Sequence, residues 1–196
     1  VPTPDLRLRS IQMQFVDAYE SSGTRASWIT QNVTKTSGTA SNDGIIRWDV
    51  PLASTTWPYQ AWFVYTASNL EPLIEKATAE QAWNYVGAAQ LIHAWGFMLM
   101  EDMYGEMPYT EALTPNVSPK YDDGKTIFYG CLDMLDKAIE NWSQTQVSTA
   151  TPLANGDIWN GGDTKKWLKL AYGLKARWLN NLSKKSFYNP DEVLKA

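Results

Sequence analysis

The chain has 196 residues, 44% hydrophobic and 19% charged, so it can close a sizeable core as a single domain and is not a disordered segment. A formal net charge of -4 offers no basic stripe for a nucleic-acid partner, and one cysteine, Cys131, excludes an internal disulfide framework and a thiolate metal cluster. Ten tryptophans and ten tyrosines are the anomaly, because these side chains gather where large helix faces pack or where a ligand stacks.

The opening Val1-Pro2-Thr3-Pro4 has neither an initiator Met nor the regions of a signal peptide. It reads as the start of an excised or mature segment, with any membrane anchor upstream. From 5 to 19, Leu8, Ile11, Phe15, Val16 and Tyr19 recur at helical spacing behind Asp5 as N-cap, which predicts a first amphipathic helix. Residues 28–54 change character, with Ser, Thr, Asn and Gly clustered around 34–44, and predict a long loop of the kind that often binds. Trp57-Pro58 then starts a second helix over 57–76, with Ala61, Tyr65, Ser68, Leu70, Leu73, Ile74 and Ala77 turned toward its neighbour.

A tight connection at 77–79 leads into a third helix over 79–104, which makes the pair an antiparallel hairpin. Between Tyr85 and Met100 only Gln90 and His93 are polar, so this helix has almost no wet face and must be the central rod. Its apolar run is too short for the roughly 20 residues that span a bilayer. Asp123 caps a fourth helix carrying Ile127, Phe128, Cys131, Leu135, Ala138, Ile139 and Trp142. After a polar loop over 143–162, Asp163 opens a fifth helix carrying Trp167, Leu170, Ala171, Leu174, Trp178 and Leu182, which finishes among Lys184 and Lys185. The predicted fold is all-α: one domain over 1–196, with antiparallel helical hairpins stacked in a tetratricopeptide-like arrangement and long irregular loops, without a strict 34-residue period.

Little here reads as catalytic. The single histidine, His93, lies mid-rod with no second ligand to complete a metal site, and Cys131 sits on an apolar stripe without an activator. Carboxylates flank the central turn at Glu101, Asp102, Glu106, Glu111, Asp122 and Asp123, but their separation, which decides a glycosidase mechanism, is not readable from sequence. The loops at 155–157 and 160–163 have a calcium-loop composition with the wrong ligand spacing. No cofactor is expected.

Four pieces occur in a familiar order. Asp102-Met103-Tyr104-Gly105-Glu106-Met107-Pro108-Tyr109-Thr110-Glu111-Ala112 comes first, then Lys120-Tyr121-Asp122. Asp157-Ile158-Trp159 follows with Gly162-Asp163 and Lys166-Trp167, and last comes Leu170-Ala171-Tyr172-Gly173-Leu174-Lys175-Ala176-Arg177. Together with Ser68-Asn69-Leu70 upstream, this ordered set resembles the SusD/RagB family, departing from its "F-A-N-S-L-K-L-R" pattern at Tyr172-Gly173. The resemblance runs over roughly 57–183 and implies the amino-terminal, repeat-bearing part of a larger protein. Such a protein is not an enzyme but a surface-exposed outer-membrane lipoprotein of Bacteroidetes-type bacteria, lipid-anchored upstream. It captures glycan or oligopeptide and delivers it to a TonB-dependent, SusC-like transporter.

Ligand contact from this segment is expected from the loop before the second helix, with Trp48 first, then Trp28 and Trp57. Asp43 and Arg47 are the polar neighbours, together with Asn42. Two other classes compete. An all-α glycoside hydrolase would turn substrate over and lose that activity with one Glu or Asp; a tetratricopeptide-type scaffold would bind protein and no small ligand.

Overall fold

The computed structural model describes residues 2–34, 43–50 and 55–196. Their regular structure is helical, apart from one isolated antiparallel bridge between Met107 and Asp122. Helix α1 spans Pro4–Ile29, α2 Asp43–Ile46 and α3 Thr56–Gln60. A π turn at Ala61–Thr66 and a 3-10 turn at Ala67–Asn69 carry α3 into α4, Leu70–Ala79. Then come α5 Trp83–Tyr104, α6 Gly124–Ser143, α7 Thr164–Asn181 and a short α8 Pro190–Lys195.

The expected all-α, tetratricopeptide-like stack is what forms. Three residues, 80–82, join α4 to α5, and α5 packs most extensively on α6, which in turn meets α7. The rod is α5: Tyr85, Ala88, Ala89, Leu91, Ile92, Phe97 and Met100 are fully enclosed, as an almost wholly apolar helix requires. Two glycines let its neighbours close in. Gly87 and Gly96 are nine residues apart, about 180° around a helix at roughly 100° per residue, so they notch opposite faces. A Cβ at Gly96 would stand 1.9 Å from the Trp62 ring, and one at Gly87 2.8 Å from the Trp142 indole. Trp62 thus docks the π turn on one side of the rod, and Trp142 docks α6 on the other.

Helix boundaries differ from expectation in instructive ways. The first helix runs on to Ile29 rather than stopping at Tyr19, so Trp28 belongs to its last turn and not to a loop. The run Ser21-Ser22-Gly23-Thr24 looks like a breaker, yet Ser21 and Ser22 both donate to the Ala18 carbonyl at 3.2 and 2.8 Å and keep the chain helical. Thr3, not Asp5, holds the N-cap position; Asp5 lies in the first turn, where its charge still favours the helix dipole. The hairpin link falls at 80–82 because α4 continues to Ala79, with Gln81 at φ 54° making the turn. Helix α7 ends at Asn181, short of the two lysines. Asp123 and Asp163 cap as expected, accepting from the backbone N–H of Thr126 at 2.7 Å and Lys165 at 2.9 Å.

The second helix holds the largest correction. Tyr65 and Ser68 are exposed, while Trp62, Thr66, Ala67 and Leu70 are buried. A π turn inserts one residue, so the expected inward positions fail at Tyr65 and Ser68, while Leu70, Leu73 and Ala77 beyond it are buried as expected. The Thr66 hydroxyl donates to the Ala61 carbonyl, five residues back, at 2.8 Å and satisfies it inside the widened turn.

Candidate functional site

The motif carboxylates turn out to hold the scaffold together. Asp122 accepts from the Tyr109 and Thr110 N–H groups at 3.2 and 2.7 Å and from the Thr110 hydroxyl at 2.8 Å, closing the segment between α5 and α6 on itself. Glu111 accepts from the Lys120 N–H and the Asn116 amide at 3.2 and 2.8 Å. Gly105, at φ 72° and ψ -131°, ends α5 in a conformation that favours glycine. The ring of Tyr109 lies where a side chain at Gly130 would be, 2.5 Å from that Cβ position.

Asp157 is the corresponding hub at the other end. It accepts from the Gln12 amide at 2.7 Å, the Trp167 indole N–H at 2.8 Å and the backbone N–H groups of Trp159, Asn160 and Gly162. Burial works to raise its pKa, but the bonds from Gln12, Trp167, Gly162 and Asn160 outweigh that and hold the carboxyl below its ordinary value. One carboxylate thereby ties α1 to the loop before α7 and to α7 itself. The Asp-x-Trp, Gly-Asp and Lys-Trp pieces are parts of this one knot. Gly162, at φ 83°, is needed there because a Cβ would meet the Ala154 backbone at 2.6 Å.

Glu111, Asp122 and Asp157 are so engaged, whereas burial holds Glu101 and Asp102 above the ordinary carboxylate value; the candidates for ligand stacking are the aromatic side chains. Of ten tryptophans, only Trp48 and Trp57 are exposed, at 70% and 41%. Trp48 stands in the turn after α2 at φ 64°, its N–H bonded to the Ile45 carbonyl at 3.1 Å. Ile45, 1% exposed, anchors that turn, and the Gln31 amide reaches the Ile46 carbonyl from the end of α1 at 3.4 Å. Arg47 is exposed beside Trp48. Asp43 opens α2, while its side chain and Asn42 lie outside the described residues. Trp28 is half-buried in the last turn of α1. Among the described residues, no ring contact joins Trp28, Trp48 and Trp57 to one another.

Trp57 has a partner that sequence reading assigned to the interior. Residues eight apart diverge by about 80° on an α-helix, but the extra residue of a π turn brings them into line. Trp57 and Tyr65 are such a pair, with ring centroids 5.9 Å apart and planes at 46°, and Tyr65 is 45% exposed. The Trp57 indole N–H reaches Asp17 at 3.5 Å. Two tilted rings bordered by a carboxylate form a second apolar surface with a hydrogen-bonding edge, suited to the face of a sugar ring.

His93 lies in the rod with its ring 4.8 Å from Phe97 and 6.4 Å from Tyr109, and its Nδ1 has no hydrogen-bond partner. Burial pushes its imidazole down from 6.5 to about 4. Among the described residues, no group of three or more His, Cys, Asp or Glu side chains is placed to hold a metal ion. Nor is any helix among them long and apolar enough to cross a membrane.

A family model described as "SusD-like, starch-binding associating with outer membrane" matches residues 3–196. Solved structures share the fold. A SusD/RagB family protein from Bacteroides thetaiotaomicron is 22% identical with a TM-score of 0.82, the match covering 100% of this chain and 42% of that one. A chitin-binding protein is 23% identical with a TM-score of 0.77, over 98% of this chain and 41% of that one. A SusD homologue from Parabacteroides distasonis is 17% identical with a TM-score of 0.75, over 99% and 38%. The chain spans about two-fifths of the length of these structures. No curated protein matches it.

Proposed function

The chain belongs to the SusD-like family, and from that premise we propose that it is the amino-terminal part of a lipid-anchored surface protein that captures glycan and delivers it to a partner TonB-dependent, SusC-like transporter. The family match across residues 3–196 carries this reading. Its exposed aromatic residues, Trp48 beside Arg47 and Trp57 beside Tyr65, agree with it, because flat apolar faces bordered by polar groups suit sugar rings. Binding without turnover is the mode proposed. Asp122, Asp123, Asp157 and Asp163 accept backbone N–H bonds that hold loops and helix ends, which leaves them ill-suited to general acid and base work.

The mechanism is capture and handover. Rings fixed on a rigid helical scaffold lose little entropy when a saccharide stacks on them, and the stacked helix pairs offer an extended surface to the transporter. The test is purification of the full-length protein from its native outer membrane, followed by titration with starch-type and chitin-type oligosaccharides. Copurification with a large β-barrel and saturable glycan binding are expected. A protein that purifies alone and binds no glycan or peptide would end the proposal.

A further inference from the structure

Residues 56–69, which include α3 and the π turn, hold no charged side chain, so the charge beside the Trp57–Tyr65 pair comes from α1, the helix packed against them. Asp17 of α1 is half-buried, and its Oδ1 faces the Trp57 indole N–H at 3.5 Å. Glu20, one turn further along α1, is exposed and accepts from the Thr24 hydroxyl at 2.7 Å. Among the described residues, no lysine or arginine pairs with either carboxylate. The next cation along α1 is Arg25, eight residues beyond Asp17 or about 12 Å along the helix, where it donates to the Ser21 carbonyl at 3.1 Å. The faces of an indole and a phenol carry the negative side of their quadrupoles, and an uncompensated carboxylate at their edge adds to the same sign. A neutral hexose uses only the flat apolar area of such a surface. An ammonium group uses the rings and the carboxylate together.

We propose that the Trp57–Tyr65 surface selects amino sugars, glycans whose units carry a protonated amine, over their neutral N-acetylated forms. The inference rests on the reading of this chain as a glycan-capture protein and names the ligand class at one of its two aromatic surfaces. The sugar ring stacks on one of the two exposed rings, and its ammonium bonds to Asp17, whose second oxygen takes no hydrogen bond from the described residues. Attraction of the ammonium by the ring faces adds to that bond. N-acetylation keeps the sugar ring and removes the charge, as acetylation does on lysine, so it forfeits both terms. A lysyl peptide brings the same ammonium on a flexible stem, with rotamer freedom to lose and no flat face to stack, and is therefore the poorer occupant.

Calorimetric titration of the natural full-length protein tests this, with the glucosamine tetramer and its N-acetylated counterpart, chitotetraose, compared at pH 6, where the free amines are protonated. The amino form should bind at least about fivefold more tightly. Asp17→Asn should bring the ratio of the two affinities to about one. Glu140→Gln, which removes the same charge from the exposed face of α6, should keep the preference. Equal binding of the two tetramers by the wild type, or tighter binding of the N-acetylated one, would overturn the proposal and leave glycan capture standing. A preference that both substitutions weaken alike would overturn it too, since that is attraction of a cation by the net charge of the protein and not by this site. Trilysine binding as tightly as the glucosamine tetramer would overturn the choice of a sugar. Failure to bind either tetramer or a starch-type oligosaccharide would overturn the glycan reading itself, an outcome distinct from the others.

Discussion

Trp48 bears the most exposed ring among the tryptophans, and it sits at a positive φ that L residues adopt at a cost. Trp48→Ala in the full-length protein should leave the thermal midpoint nearly unchanged, since a side chain 70% exposed contributes little to folding, and should weaken glycan binding in calorimetric titration. A loss of several kcal/mol of stability instead would make Trp48 a core residue and defeat its assignment to the ligand surface. Gly96 makes the opposite case. Gly96→Leu should destabilise by about 1 to 3 kcal/mol in chemical denaturation, because the Trp62 ring occupies the space a side chain needs, and Trp62→Leu should recover part of that loss. His93 contributes a pH dependence. Its folded-state pKa of about 4 lies below the ordinary 6.5, so as pH falls the unfolded chain takes up the proton first. The stability present above 6.5 should therefore fall by about 2 kcal/mol between pH 7 and 5, and His93→Gln should flatten that part of the profile. Equal slopes for the two proteins would show that His93 does not titrate as its burial dictates.

Elements were legible where one force dominated. The rod could be read from its missing wet face, and α6 and α7 from apolar stripes that begin just after Asp123 and Asp163. The second half of α1 was not, because Ser21 to Thr24 have weak helix propensity and only tertiary packing and hydroxyl back-bonding keep them helical. The π turn was equally hidden: it leaves no signature in composition, yet it decides that Tyr65 stands beside Trp57 rather than against the rod. Trp48 and Trp57 were therefore named from sequence, whereas Tyr65 needed the coordinates. The four ordered motifs could be recognised, while the reason for their spacing, carboxylates binding backbone N–H groups across a loop, could not. Asp157→Asn tests that reason. It should cost about 3 kcal/mol in chemical denaturation, since one buried acceptor holds α1, α7 and the intervening loop. Asp163→Ala, which removes only a helix cap, should cost about 1 kcal/mol. Equal losses from the two changes would mean that Asp157 is an ordinary cap and not a hub.

At the scale of the whole molecule, stacked helix pairs give a stiff support whose two outward uses differ in chemistry. In the proposed reading, the exposed aromatic surface near α2 and α3 is the one offered to sugar, and the helix-pair faces are the ones offered to protein. Several new charges on the helix-pair faces of the full-length protein should abolish copurification with its barrel without altering oligosaccharide affinity, whereas intact copurification would remove those faces from the transporter interface. Glycan capture remains the central claim. The most direct test of it is calorimetric titration of the full-length protein against starch-type and chitin-type oligosaccharides, with the wild type and the paired Trp48→Ala, Trp57→Ala variant compared side by side. The account predicts saturable binding by the wild type, at least tenfold weaker binding by the variant at an equal thermal midpoint, and saccharides recovered with their chain length unchanged. Wild type and variant binding alike, or shortened saccharides that accumulate with time, would contradict it.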